Sequence, residues 1–271
     1  MTSPPTSLSE TPPPITLTTD FGLSGPYVAS MKGVILGILP GATIIDISHD
    51  IPPQNIHQAA YVLGAAAPYF PGGTVHVVVV DPGVGSERRP IAIFTGQACF
   101  VGPDNGVFSR IYEQENILDV RQLSNAAYHL PTISHTFHGR DIFAPVAAHV
   151  AAGVPPPAFG PIISDPVTID FSAPEKRPDG SIQGEIIYAD EFGNLISNIP
   201  VRWLLDQPDW MFEIADVKLT GLMTTYSQTP PQELVVLGSS TGVVEIAKRD
   251  GSAARHLAVE TGETFIARPA L

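Results

Sequence analysis

The stretch TVHVVVVD, residues 74–81, decides the fold. Its four consecutive valines leave no alternation with polar residues, so neither face of this strand meets water, and such a strand belongs to a sheet covered by helices on both sides. Upstream lies a helical stretch from Asn55 to Tyr69 and, before it, a strand, ATIIDIS, at 42–48. The segment Tyr27 to Leu39 places Val28, Met31, Ile35 and Ile38 at helical spacing before Pro40 and Gly41 stop it. At the head, ITLTTD (15–20) is a short β-branched run ending in an acid and a glycine turn. Downstream, PIAIFTG and ACFVGPD read as two further strands, and Asp141 to Ala152 reads as a helix. Strand, helix, strand, helix, strand predicts an α/β N-terminal domain with a mostly parallel sheet over residues 14–175. Residues 1–13, rich in Pro, Ser and Thr, are expected to form a disordered tail because they bury too little to offset their ordering entropy.

Past Ala152 the composition turns to prolines and polar residues in GVPPPAFGPIISDP and FSAPEKRPDG, a linker-like region. Beyond it SIQGEIIYAD, MFEIADVKLTG, QELVVLGS, GVVEIAKR and ETFIARP each read as a short strand bounded by turns. A smaller all-β C-terminal domain is expected over 176–271, as a sandwich or partial barrel.

Composition narrows the function. With 44% hydrophobic and 15% charged residues the chain can bury a sizeable core. Fourteen Lys and Arg against 27 Asp and Glu give a formal charge of −13, which repels nucleic-acid backbones and anionic membranes but suits a cationic small molecule. The single cysteine, Cys99, excludes an intrachain disulfide, and no stretch reads as an export signal or membrane span, so a cytoplasmic protein is expected.

In α/β sheets ligands bind beyond the carboxyl ends of the strands, where several polar motifs of this chain fall. TTDFG puts Asp20 there, as an acceptor for vicinal ribose hydroxyls or as a turn or helix-capping acid. VDPGVGSERRP puts Asp81 at a strand end with Arg88 seven residues on, across two glycines; it is not a phosphate loop, and its arginines are either solvated or folded back onto Asp81. SHTFHGRDIFAP gathers His135, His138, Arg140 and Asp141 before a helix, either as metal ligands or around a single catalytic histidine. In the β domain, DEFGNLISN with Asp190 and Asn194, and GSSTGVVEIA with Ser240, are hairpin turns or contacts for an adenine and an amino acid.

Taken together, TTDFG with YVASMKGVI, DISHDIPPQNI, VDPGVGSERRPI, VGPDNGVFS, TFHGRDIFAPVAA, DEFGNLISNI and GSSTGVVEIA resemble the S-adenosyl-L-methionine hydroxide adenosyltransferase family, hydrolytic relatives of the fluorinase, in order from about residue 15 to 250. The resemblance implies a homotrimer that binds S-adenosylmethionine at subunit interfaces, between the N-domain of one subunit and the C-domain of the next, and uses no cofactor or metal. Water then displaces methionine at the ribose 5′ carbon. It assigns Asp81, Arg88 and His138 to catalysis, Asp20 to the ribose, Asp190, Asn194 and Ser240 to adenine and methionine, and Tyr226 to the adenine ring. Halogenating members carry an aromatic where Asp81 stands, a halide-binding serine where Gly139 stands and an extra loop after the third strand, so hydrolysis is the implied branch. Many relatives have an acid where this chain has Gly25, which shifts recognition of the methionine ammonium toward the β domain.

The implied chemistry is coherent. A sulfonium leaves as a neutral thioether and needs no general acid. Water, with a pKa near 15.7, needs hydroxide character, which a permanently charged Arg88 would favour while Asp81 orients it and His138 takes the proton. Two other readings are a metal-dependent hydrolase using His135, His138 and Asp141, and a non-catalytic sensor of an adenosine ligand.

Overall fold

Val75, Val77 and Val79 point into one hydrophobic core and Val78 and Val80 into another, so the run at 74–81 is buried on both faces, as its lack of alternation requires. Each valine withdrawn from water in this way contributes about 1.5–3 kcal/mol. The computed structural model describes residues 11–206 and 209–270; most of the expected N-terminal tail, residues 1–10, lies outside the described residues.

The chain divides into two compact units, one reaching Asp170 and one starting at Phe171. In the first, strands β1 (Ile15–Thr19), β2 (Ile44–Ser48), β3 (Val75–Val79), β4 (Pro90–Thr95), β5 (Cys99–Pro103) and β6 (Ile117–Gln122) form one sheet in the order β2-β1-β3-β5-β4-β6. The pairs β2–β1, β1–β3 and β3–β5 are parallel; β4 runs antiparallel to both its neighbours. Helices α1 (Tyr27–Ile38) and α4 (Ala144–Ala151) send Met31, Ile35, Val146 and Ala147 into the core that Val77 faces, whereas α2 (Ile56–Ala66) and α3 (Ser109–Gln114) send Leu63 and Ile111 into the other. The mixed α/β character read from the sequence is therefore present. Helix α3 and strand β6 were not anticipated.

Two local features have clear sequence causes. Asn55 caps α2 by accepting the Gln58 N–H at 2.9 Å. The helix expected at 141–152 starts earlier, at Gly139, with a π turn over Gly139–Phe143 that gives way to α4. Pro145 has no N–H to offer the Asp141 carbonyl, which instead accepts from the Leu130 N–H at 2.9 Å.

The second unit holds β7 (Glu175–Lys176), β8 (Ile182–Ala189), β9 (Leu195–Pro200), β10 (Trp210–Ile214), β11 (Val217–Thr220), β12 (Leu234–Gly238), β13 (Val243–Lys248) and β14 (Thr264–Pro269), with one short helix, α5 (Ala253–Leu257). The sheet runs β11-β10-β14-β8-β9-β13-β12 with β7 on β8, all pairs antiparallel, and a bridge between Met223 and Leu237 nearly closes it. MFEIADVKLTG, read as one strand, is a hairpin: Ile214 pairs with Val217, and Ala215 takes a positive φ of 48° at the turn. Among the described residues no helix is long and apolar enough to cross a membrane.

Candidate active site

The loop after β3 is folded by its glycines. Gly85 has φ of +78°, and a Cβ there would collide with the His135 carbonyl, so the turn packs backbone to backbone against the loop that carries His138. Hydrogen bonds from the Val84 N–H to the Asp81 carbonyl (3.2 Å) and from the Ser86 hydroxyl to the Gly83 carbonyl (2.6 Å) close the turn and send Arg88 back toward the strand end.

There Arg88 Nε donates to both Asp81 oxygens at 3.0 Å, Nη2 donates to Oδ2, and the same Nη2 donates to His138 Nδ1 at 2.6 Å. The guanidinium thus holds a carboxylate and an imidazole at once. The pair is buried, the Arg88 and Asp81 side chains being 8% and 4% exposed, and the guanidinium lies over the Phe143 ring at 5.3 Å. Arg88 Nη1 is buried with no hydrogen-bond partner, a donor left over at the centre of the site. Because arginine does not give up its proton, His138 Nδ1 must be the acceptor, and the neutral ring carries its proton on Nε2. Burial first, then the charge of Arg88, hold the His138 pKa below its ordinary value, partly opposed by Asp81 and Asp141, so the ring is neutral at physiological pH.

A cavity of about 260 Å³ opens at this end of the sheet, its wall including Asp20, Gln54, Asp81, Phe137, His138 and Gly139. Asp20 does not cap α1, whose first turn has no side-chain cap; its Oδ2 accepts the Gln54 N–H at 2.8 Å. Gln54, which the sequence reading passed over, holds φ at 66°, a conformation that costs a non-glycine residue on the order of 1 kcal/mol and that clusters at functional sites. Its signal was only the breaker-rich PPQN. A Cβ on Gly139 would lie 3.3 Å from Met31 Sδ and from Val79 Cγ1, so the cavity wall there is already tight.

The metal reading fails on this geometry. Asp141, fully buried, spends its oxygens on the Ser134 N–H (2.8 Å) and the Arg140 guanidinium (2.6 and 3.1 Å), and His138 Nδ1 is taken by Arg88, so neither residue is free to join His135 around an ion. Among the described residues no group of three or more His, Cys, Asp or Glu is placed to hold a metal ion.

In the second unit, DEFGN is the turn between β8 and β9, closed on itself by Asp190, which accepts the Asn194 N–H at 2.8 Å and the Asn194 side-chain N–H at 2.9 Å. Tyr226, 45% exposed on a single 3₁₀ turn, donates its hydroxyl to Glu245 Oε1 at 2.7 Å. Burial, then the hydrogen bond and charge of Glu245 and the charge of Asp190, push the Tyr226 pKa up to about 12. Tyr226 thus bonds Glu245, and the charge of Asp190, itself held by Asn194, also acts on Glu245, a buried acid that sequence reasoning missed although it interrupts the apolar strand VVEIA. Ser240 is exposed on the turn from β12 to β13.

A mixed α/β unit with a buried carboxylate–guanidinium–imidazole group on a cavity at its sheet's carboxyl edge defines an enzyme acting on a small molecule. Its kind follows from its relatives: the SAM hydroxide adenosyltransferase N-terminal domain matches residues 15–160 and the C-terminal domain matches 184–266, and the chain belongs to this family. It is 38% identical over 258 residues, 92% of this chain and 97% of the relative, to the (R)-S-adenosyl-L-methionine hydrolase of Thermus thermophilus. A crystal structure of an uncharacterized conserved protein from Thermotoga maritima superposes with a TM-score of 0.89 at 34% identity, covering 94% of this chain and 99% of that one. A fluorinase from an Actinoplanes species is 28% identical over 69% of this chain and 72% of its own length.

Proposed function

We propose that this enzyme hydrolyses S-adenosyl-L-methionine to adenosine and L-methionine by in-line attack of water on the ribose 5′ carbon, and that it acts on the R sulfonium epimer specified in its relatives' name. The observation that carries the reading is the grip of one guanidinium on both Asp81 and His138. Water attacks, the C5′–S bond breaks, its electron pair leaves on the neutral thioether of methionine, and one proton is released.

Hydrogen-bond polarity refines the roles. With Arg88 donating to Nδ1, neutral His138 has no free lone pair and offers Nε2–H as a donor. Asp81 lines the cavity and keeps spare acceptor capacity beside its bonds to Arg88, so it takes the hydrogen bond from the attacking water and accepts the proton as C5′–O forms. Arg88, its Nη1 unspent, holds both groups at fixed geometry, so the site is organised before the substrate arrives.

Asp20 receives the ribose hydroxyls, and Tyr226, Asp190, Asn194 and Ser240 receive the adenine and the amino acid. Their division between two units supports a homotrimer in which the site is completed at a subunit interface. The buried, unpaired Cys99 thiol fits a reducing cytoplasm. Incubation with S-adenosylmethionine followed by chromatography tests the reading: adenosine and methionine should appear in equal amounts, and intact substrate after long incubation would refute it.

A further inference from the structure

Behind Asp20 runs a chain of polar side chains that the reaction does not use. Lys32 Nζ donates to Asp46 Oδ2 at 2.6 Å, and His49 Nε2 lies 3.0 Å from Asp46 Oδ1. That second contact is close but is not aligned as a hydrogen bond. His49 Nδ1 is 2.9 Å from the Thr19 hydroxyl, whose oxygen accepts the Phe21 N–H at 3.2 Å, and the His49 carbonyl accepts the Gly22 N–H at 2.8 Å.

The polarity is consistent from end to end. A ring proton on Nε2, toward the carboxylate, leaves Nδ1 to accept from the Thr19 hydroxyl, which leaves the Thr19 oxygen to accept from the backbone. Thr19 and His49 are buried at 0% and 3% exposure, so their polar atoms depend on these partners. Two of its bonds end on the backbone N–H groups of Phe21 and Gly22, in the turn that presents Asp20 to the cavity. Asp20 itself is steadied on its far side by the Gln54 N–H, which leaves its outer oxygen for a ligand.

We propose that His49, anchored by Asp46 and Lys32, is a positioning residue for substrate binding: it fixes the 19–22 turn and thereby the Asp20 carboxylate that takes the ribose. This rests on the assignment of Asp20 to the ribose. His49 touches no substrate and acts only through the turn.

Replacing His49 by Gln or Asn separates positioning from packing. Asn offers an acceptor near the place of Nδ1 and keeps the Thr19 bond, whereas Gln reaches toward Asp46 and loses it. His49→Gln should raise KM for S-adenosylmethionine about fivefold to tenfold, the cost of one buried hydrogen bond, with kcat within about twofold. His49→Asn should recover most of that loss. Thr19→Val, which keeps the volume and removes the hydroxyl, should reproduce the KM rise and decides the matter if His49→Gln does not fold. In an Asp20→Ala background none of the three should raise KM further. Unchanged KM in Thr19→Val alongside a raised KM in Asp20→Ala overturns the proposal and leaves the ribose assignment standing. Equal losses in the Gln and Asn variants, falling on kcat and KM alike, reduce His49 to packing. An unchanged KM in Asp20→Ala removes the ribose assignment itself.

Discussion

Arg88→Lys keeps the positive charge and removes the fork. The guanidinium spans Asp81 with Nε and Nη2 and reaches His138 with the same Nη2, a set of directions that a single ammonium cannot reproduce. Lysine can pair with Asp81 or approach His138, not both, and whichever it drops is left in a pocket whose acid is only 4% exposed. Breaking one side of a buried pair typically costs about 3–5 kcal/mol of stability, and Arg88→Lys should fall well short of that because the carboxylate keeps a counter-charge. Turnover should fall much further. Loss of one preorganised donor costs on the order of a hundredfold to a thousandfold in kcat, and because Arg88 stands behind Asp81 and His138 rather than on the cavity wall, KM should stay within about threefold. Initial rates by chromatography, with adenosine binding by calorimetry, give both numbers. A large rise in KM with kcat intact would place Arg88 against the substrate and refute its role in organising the attack.

Three further outcomes are expected. His76 is fully buried, bonded to Thr16, and its pKa is lowered by burial to about 4; above the unfolded value of 6.5 both states are neutral, and between 6.5 and 4 only the unfolded chain takes up the proton. Stability should therefore drop by about 3 kcal/mol over that window and then level off, and urea unfolding of His76→Phe should lack this part of the slope. Gly139→Ser pushes a Cβ against Met31 and Val79, so turnover should fall about tenfold to a hundredfold and no halogenated nucleoside should form even in concentrated fluoride, as chromatography would show. Asp20→Ala and Asn194→Ala proteins, each impaired alone, should recover activity when mixed under conditions of subunit exchange; demonstrated mixed trimers without recovery would count against a shared site.

Much of the α/β unit was legible because its signals are local. The valine run, the helical spacing of Val28, Met31 and Ile35, and the glycine turn between Asp81 and Arg88 each lie within a dozen residues. The fold-back of Arg88 onto Asp81 was one of two readings left open, and it is the one the structure takes, through the positive-φ turn at Gly85. What escaped lies in long-range pairing. His49 meets Thr19 only because β2 lies beside β1, and Tyr226 meets Glu245 only across the β sheet. Strand β9 was hidden by its polar residues: Ser197 and Asn198 are tolerated inside because the Ser197 hydroxyl reaches the Val244 carbonyl and Asn198 bonds the Glu185 N–H and the Ser172 carbonyl. The turn of the β10–β11 hairpin gave no warning because Ala215 is not a residue that announces a positive φ. Competition for Asp141 was equally invisible, and without it the His135, His138 and Asp141 grouping reads as a metal site.

The central claim is that water is the nucleophile at the 5′ carbon and that the C5′–S bond is the one broken. Turnover of (R)-S-adenosyl-L-methionine in water enriched in oxygen-18, read by mass spectrometry, tests it most directly. The account predicts adenosine carrying the heavy oxygen at its 5′ position and an equal amount of unlabelled methionine. Adenosine without the label, or a nucleoside that keeps its sulfur, would contradict it.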